Sequence, residues 1–359
     1  MIALMLSAST SLAADVVLVG NSYTAGLPAA LNGVFDAASQ RVTTTRLASG
    51  GLTLADHAAR AADPSTSWHT ALVAEAADRE WVVLQDQSQV PGFPATEPMW
   101  QASRDGAVAL DQFVRDANAE TLFFLTWGRR AGDPMNEWMY PDFATMQERL
   151  TSGYQAYAAA TATADRPVWI APVGPAFAVV HDRVVSDGLT PTDAGNDFHG
   201  LYSGDGSHPS PTGTLLTAYV FFASITGESP VGLEAPTGID AELADRLQSA
   251  AASAVFNSAD DFHFPWETDE DTPDADDGAG ETGTDQDTGR GDCGADDGSG
   301  TAGDTAEESA GSTDPTPAAA PEGDPSKQSG CSAAHGSGRI AGWAAALAGF
   351  LVILGRRRR

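Results

Sequence analysis

The chain has 359 residues and carries 49 acidic against 19 basic side chains, a formal charge of −30. That balance argues against nucleic acid as a partner, because phosphate binding needs clustered lysine and arginine. The single lysine, Lys327, and both cysteines, Cys293 and Cys331, stand late in the chain. Lysine catalysis, a thiol nucleophile, disulfides and cysteine-bound metal are therefore excluded from the first 257 residues.

In chain order, the apolar run Ile2 to Leu6 precedes Ser11-Leu12-Ala13, with small residues two apart. This predicts a secretory signal over 1–14, cut near Ala13 or Ala14. Residues 15–257 then alternate short apolar runs with longer amphipathic segments. Val16 to Val19 reads as a strand buried on both faces, ending in Gly20. Arg41 to Leu47, Trp81 to Leu84, Thr121 to Leu125 and Val168 to Ile170 read as four more strands. Helical patterns cover Leu54 to Ala62, Trp68 to Ala77, the stretch marked by Val108, Leu110, Phe113 and Val114, and Phe143 to Ala162. Two more cover Pro211 to Ile225, with proline in its first turn, and Ala241 to Val255. Strands alternating with helices predict an α/β fold: a three-layer α/β/α arrangement, flavodoxin-like, around a five-stranded parallel sheet.

From 258 to 330 the composition shifts to Asp, Gly, Thr, Glu and Pro. Residues 267–330 alone hold 19 acidic and 2 basic side chains. Such a segment buries too little apolar surface to offset its ordering entropy, which predicts a disordered, self-repelling linker. The last 29 residues, entered from Gly330, combine Cys331, an apolar run from Ile340 to Gly355 and the arginines 356–359. At ~1.5 Å per residue that run spans ~24 Å, slightly short of a ~30 Å hydrocarbon core.

In an open parallel sheet, ligands bind at the carboxyl ends of the strands, so the loops there carry the candidate chemistry. Strand one leads into Asn21-Ser22, strand two into Ser49-Gly50-Gly51, and strand three into Gln85-Asp86-Gln87-Ser88. Asp205-Gly206-Ser207-His208-Pro209 precedes the Pro211 helix. Asp205 and His208, three apart in a turn, allow the carboxylate to hold one imidazole nitrogen while the other faces outward. A serine hydroxyl is a poor nucleophile without such an oriented base. The other histidines before the acidic linker and just inside it, His57, His69, His181, His199 and His263, show no paired zinc spacing, and His335 stands alone near the C-terminus. Trp127 and the arginines 129 and 130 follow strand four, where they would line a pocket, meet an anion, or simply pack and solvate.

These four blocks, in this order and each in its expected loop, resemble the SGNH (GDSL-type) hydrolases over about residues 15–257. Gly20-Asn21-Ser22 resembles the first block, with asparagine where the family usually has aspartate. Gly51 resembles the glycine block, and Asp205 to Pro209 the last. The third block departs from the family's Gly-x-Asn-Asp. The resemblance implies a serine esterase with Ser22, His208 and Asp205 as catalytic triad. Its oxyanion hole would be made by the amides of Ser22 and Gly51 and the side chain of Gln87 or Gln85, with no cofactor and no metal. The C-terminal segment 331–359 resembles the MYXO-CTERM surface-sorting signal, which implies a sorting protease and a place at a membrane or cell surface; a plain tail anchor is the alternative. The expected substrate is a small-molecule or glycan ester, acetylated carbohydrate being preferred. A lipase or thioesterase of the same fold, or a non-catalytic binding module, are the alternatives.

Overall fold

The computed structural model describes residues 13–76, 79–258 and 262–267. Almost all of the expected leader, most of the acidic linker and the whole C-terminal segment lie outside the described residues.

Strand β1 (Ala13–Gly20) contributes Val16, Val17, Leu18 and Val19, all without exposed surface. A strand covered on both faces has no polar side, so a continuous apolar run marks it rather than alternation. The same holds for β3 (Trp81–Leu84), and β4 (Glu120–Phe124) is buried over its last four residues. β5 (Trp169–Ala171) is short. β2 (Arg41–Ala48), rich in threonine and arginine, lies at an edge where those side chains reach water.

All five strands are parallel, in the order β2-β1-β3-β4-β5. The chain leaves β1 toward one edge and returns to build the other half, so the carboxyl ends of β1 and β3 flank the switch point of the sheet. Val19 pairs with Leu84, which sets Gly20 beside Gln85 at that point.

Parallel neighbours need crossover connections, and these put helices on both faces of the sheet. α2 (Leu54–Ala62), α3 (Pro98–Asp116) and α4 (Phe143–Thr161) form one packed layer. α1 (Leu27–Ala37), α5 (Val173–Ser186), α6 (Pro211–Thr226) and α7 (Ala241–Phe256) form the other. α6 is buried continuously from Leu215 to Ile225, which is why its sequence is apolar all round rather than on one stripe. No helix among the described residues is long and apolar enough to cross a membrane.

Three local differences from the sequence-based reading have physical causes. α5 is a helix that the sequence-based reading passed over; it buries Val173, Ala176, Phe177, Val180 and Val184 and leaves Asp182 and Ser186 exposed, with Pro175 tolerated in its first turn. The helix expected over 68–77 shrinks to a turn at Ser67–His69 and a wider turn at Thr70–Ala74. Packing also continues beyond 257. Phe262 and Phe264 are buried, and the Trp266 indole N–H donates to the Ser224 carbonyl at 2.9 Å.

Candidate active site

The turn after β1 is built around Gly20 and Asn21. A Cβ at residue 20 would lie 2.5 Å from Gln85 Oε1, so only glycine lets that side chain pass. Gln85 Oε1 accepts the Asn21 amide at 2.8 Å, and its amide nitrogen donates to the Asp86 carbonyl. Asn21 Nδ2 donates to the carbonyls of Asp86 (3.1 Å) and Leu52 (3.3 Å), while its Oδ1 accepts from the Tyr23 amide. The loops after β1, β2 and β3 are thereby tied together by one side chain.

Ser22 follows, at the start of a 3-10 turn. Its Oγ lies 2.8 Å from His208 Nε2, across 186 residues of sequence. His208 Nδ1 lies 2.6 Å from Asp205 Oδ2. The other carboxylate oxygen, Oδ1, accepts from the backbone amides of Ser207 and His208, both at 3.0 Å. Partial burial works to raise the Asp205 pKa, but the amides and the imidazole outweigh it and hold the carboxyl at about 2. Asp205 is thus a carboxylate at any working pH, and it fixes the imidazole with Nδ1 as donor and Nε2 facing serine. The imidazole is 44% exposed, so a substrate can reach it.

The Asp205–His208 turn is stapled on several sides. Gly206 has φ +68°, a conformation suited to glycine. Its carbonyl accepts the Arg130 amide at 2.9 Å, and the His208 carbonyl accepts the Ser203 amide at 2.8 Å. Ser207 is gripped by two aromatic residues: its hydroxyl shares a 2.6 Å hydrogen bond with the Tyr23 hydroxyl, and its carbonyl accepts from the Trp127 indole at 3.0 Å. Tyr23, Trp127 and Phe177 form a stack, with centroids 4.7 and 4.5 Å apart. Tyr23 also presents its face or edge to the His208 ring at 5.4 Å and 74°. Tyr23 directly follows Asn21-Ser22 and Ser207 lies within Asp205–Pro209, yet sequence spacing gave no sign that they bind one another.

Gln85 and Gln87 differ in what they can offer. Gln85 is fully buried and both ends of its amide are engaged internally. Gln87 is half-buried; its Oε1 accepts the Gln89 amide at 2.8 Å, and its Nε2 donates to no group among the described residues. Gly51 is exposed with φ +72°. Asp86, between the glutamines, is an internal hub. It accepts from the Leu54 and Gln87 amides and from the hydroxyls of Ser103 and Tyr157, and burial pushes its carboxyl up to about 6.

Of the other residues singled out in the sequence, Trp127 has no exposed surface and packs rather than lining a pocket. Arg129 pairs with Asp133 at 2.6 Å. The Arg130 guanidinium lies over the Tyr202 ring at 6.0 Å. His57 is buried; its Nδ1 accepts from the Trp68 indole at 2.9 Å, and desolvation lowers its pKa to about 4. No group of histidine, cysteine, aspartate and glutamate among the described residues could hold a metal ion. A cavity of about 410 Å³ opens beside Ser22 and His208. Cavities of about 450 and 560 Å³ elsewhere carry no comparable constellation.

The fold defines the class: an α/β protein with a five-stranded all-parallel sheet of order 2-1-3-4-5 flanked by helices on both faces. No family model and no curated protein matches the chain. Among solved structures, a DUF4886 family protein from Bacteroides uniformis is similar with a TM-score of 0.56 at 16% identity, over 68% of this chain and 95% of that one. A putative SGNH hydrolase from Slackia heliotrinireducens is 26% identical over 60% of this chain and 100% of that one, with a TM-score of 0.43. An acetylxylan esterase from Geobacillus stearothermophilus is 15% identical over 60% and 96%, with a TM-score of 0.42.

Proposed function

We propose that this chain is a serine esterase that hydrolyses carboxylic esters. The reading rests on one observation: Ser22 Oγ, the two His208 nitrogens and the Asp205 carboxylate form a continuous hydrogen-bonded line, 2.8 and 2.6 Å per link, from residues distant in sequence. An imidazole so held takes the serine proton as the hydroxyl attacks the ester carbonyl. Asp205 stabilises the imidazolium that results. The amides of Ser22 and Gly51 and Nε2 of Gln87 bind the tetrahedral oxyanion. As the bond to the alcohol oxygen breaks, His208 returns the proton to it. Water then attacks the acyl-serine with the same base, releasing the acid and restoring Ser22.

The same proposal keeps the exported, surface-held location expected from the two ends of the chain, to be checked by cell fractionation. Its decisive test is mutational. Ser22→Ala and His208→Ala should each abolish hydrolysis of p-nitrophenyl acetate, by at least about 10³-fold, with an unchanged circular dichroism spectrum. Turnover surviving in either folded variant would remove that residue from the mechanism.

A further inference from the structure

We infer that the cavity beside Ser22 and His208 is the subsite for the leaving alcohol, and that it takes an uncharged, apolar alcohol. The inference rests on the esterase reading above and adds the substrate class. The cavity is lined by Ser22 and His208 together with Ala25, Gly26 and Ala30 at the start of α1, and Pro211 and Thr214 at the start of α6. Pro209 and Ser210 complete it. None of these residues comes from the Gly51–Leu52 or Gln85–Gln87 loops, which border Asn21 and supply the proposed oxyanion donors. The carbonyl oxygen therefore points toward those loops and away from the cavity. The leaving oxygen must lie within reach of His208 Nε2, because that atom protonates it. Its substituent is directed along the imidazole side, into the cavity.

The chemistry of the wall then selects the alcohol. Apart from His208, no lining residue is titratable. The two wall hydroxyls other than Ser22 are already engaged. Ser210 Oγ donates to the Gly200 carbonyl and accepts from the Thr212 and Gly213 amides, and Thr214 Oγ1 donates to the Ser210 carbonyl at 2.9 Å. What remains is mostly methyl, methylene and proline ring, the polar part of the wall being these engaged hydroxyls, the Ser22–His208 pair and backbone. A charged or polyhydroxylated alcohol would lose water there without gaining partners, whereas each methylene buried adds up to roughly fourfold in kcat/KM. The sequence-based preference for acetylated carbohydrate gains nothing from this wall.

Gly26 sets the width. Its φ is −90°, open to any residue, and a Cβ there would lie 3.3 Å from Thr214 Cγ2. Gly26→Val therefore narrows the cavity without straining the backbone, and Ala30→Leu fills it from the next turn. Gly33→Val is the control: it lies on the same helix, with nothing within 4 Å of an added Cβ.

The test uses the full chain and follows acid release from two ester series, acetates of methyl to hexyl alcohol and methyl esters of acetic to hexanoic acid. For the wild type, kcat/KM should climb along the alcohol series and exceed that for an acetylated methyl xyloside. Gly26→Val and Ala30→Leu should each cut the hexyl-to-methyl ratio by about tenfold or more, leaving the slope of the acyl series as it was; Gly33→Val should leave both slopes alone. A slope lost in the acyl series instead, ratios unmoved by both cavity variants, or the xyloside as the better substrate would each overturn the assignment. Those outcomes leave the esterase reading standing, since the wild type still turns over. A wild type that hydrolyses no ester in either series overturns both.

Discussion

Asn21 Nδ2 donates to two backbone carbonyls, those of Leu52 and Asp86. An aspartate here would have no such donor, so asparagine at this position has a local reason: two carbonyl oxygens face the side chain. The glutamines after β3 can be separated in the same way. Gln87→Ala should lower kcat by about 10² to 10³-fold with the melting temperature held, as expected for removal of one oxyanion donor. Gln85→Ala leaves the buried Asn21 amide without its acceptor, and should cost about 1–3 kcal/mol of stability in urea unfolding. A Gln87 variant with full kcat would take that residue out of the oxyanion hole. That Ser22, His208 and Asp205 could be put forward together from sequence reflects the spacing and order that the proposed chemistry requires. The choice between glutamines was not, because it depends on which amide is already engaged inside the protein.

At the scale of elements, the position of the imidazole depends on how α6 begins. Gly213, in its first turn, faces the Leu201 carbonyl so closely that a Cβ would lie 2.2 Å from that oxygen. The Ser210 amide donates to the same carbonyl at 2.8 Å, and Tyr202 bridges to Pro209. The Asp205–His208 turn is thus held between its own ends and the helix. Gly213→Ala should lower the melting temperature and, on the proposed mechanism, reduce kcat by at least about tenfold, because small displacements of the proposed base carry large rate penalties. Loss of stability with kcat unchanged would show that the turn absorbs the shift. Four strands were legible from their apolar runs and the edge strand β2 from its β-branched threonines, whereas α5 was passed over although Val173, Ala176, Phe177, Val180 and Val184 stand at helical spacing, because Pro175 and the β-branched valines argue against a helix by propensity.

For the whole molecule, two buried groups set opposing pH dependences. His57 is held at about 4 when folded, below the ordinary 6.5, so between these values the unfolded chain binds the extra proton and stability falls as pH falls. Asp86 is held at about 6, above the ordinary 3.8, so between these values the folded chain keeps the proton and stability falls as pH rises. Each effect is worth roughly 3 kcal/mol, and across pH 4 to 6 they offset one another. His57→Gln should therefore unmask a stability that declines as pH rises from 4 to 6, and Asp86→Asn one that declines as pH is lowered through the same range. Urea midpoints at pH 4, 5 and 6 read this directly, and identical slopes in both variants would refute it. Sequence alone determined the succession of five strands along the chain, most of the helices between them and which serine, histidine and aspartate to propose for the site, because hydrophobic periodicity and local spacing are properties of neighbours. Only the tertiary structure decided which strand lies beside which, which glutamine is engaged, what grips Ser207 and which wall faces the imidazole, because each of those is set by contacts between residues that the chain itself holds far apart.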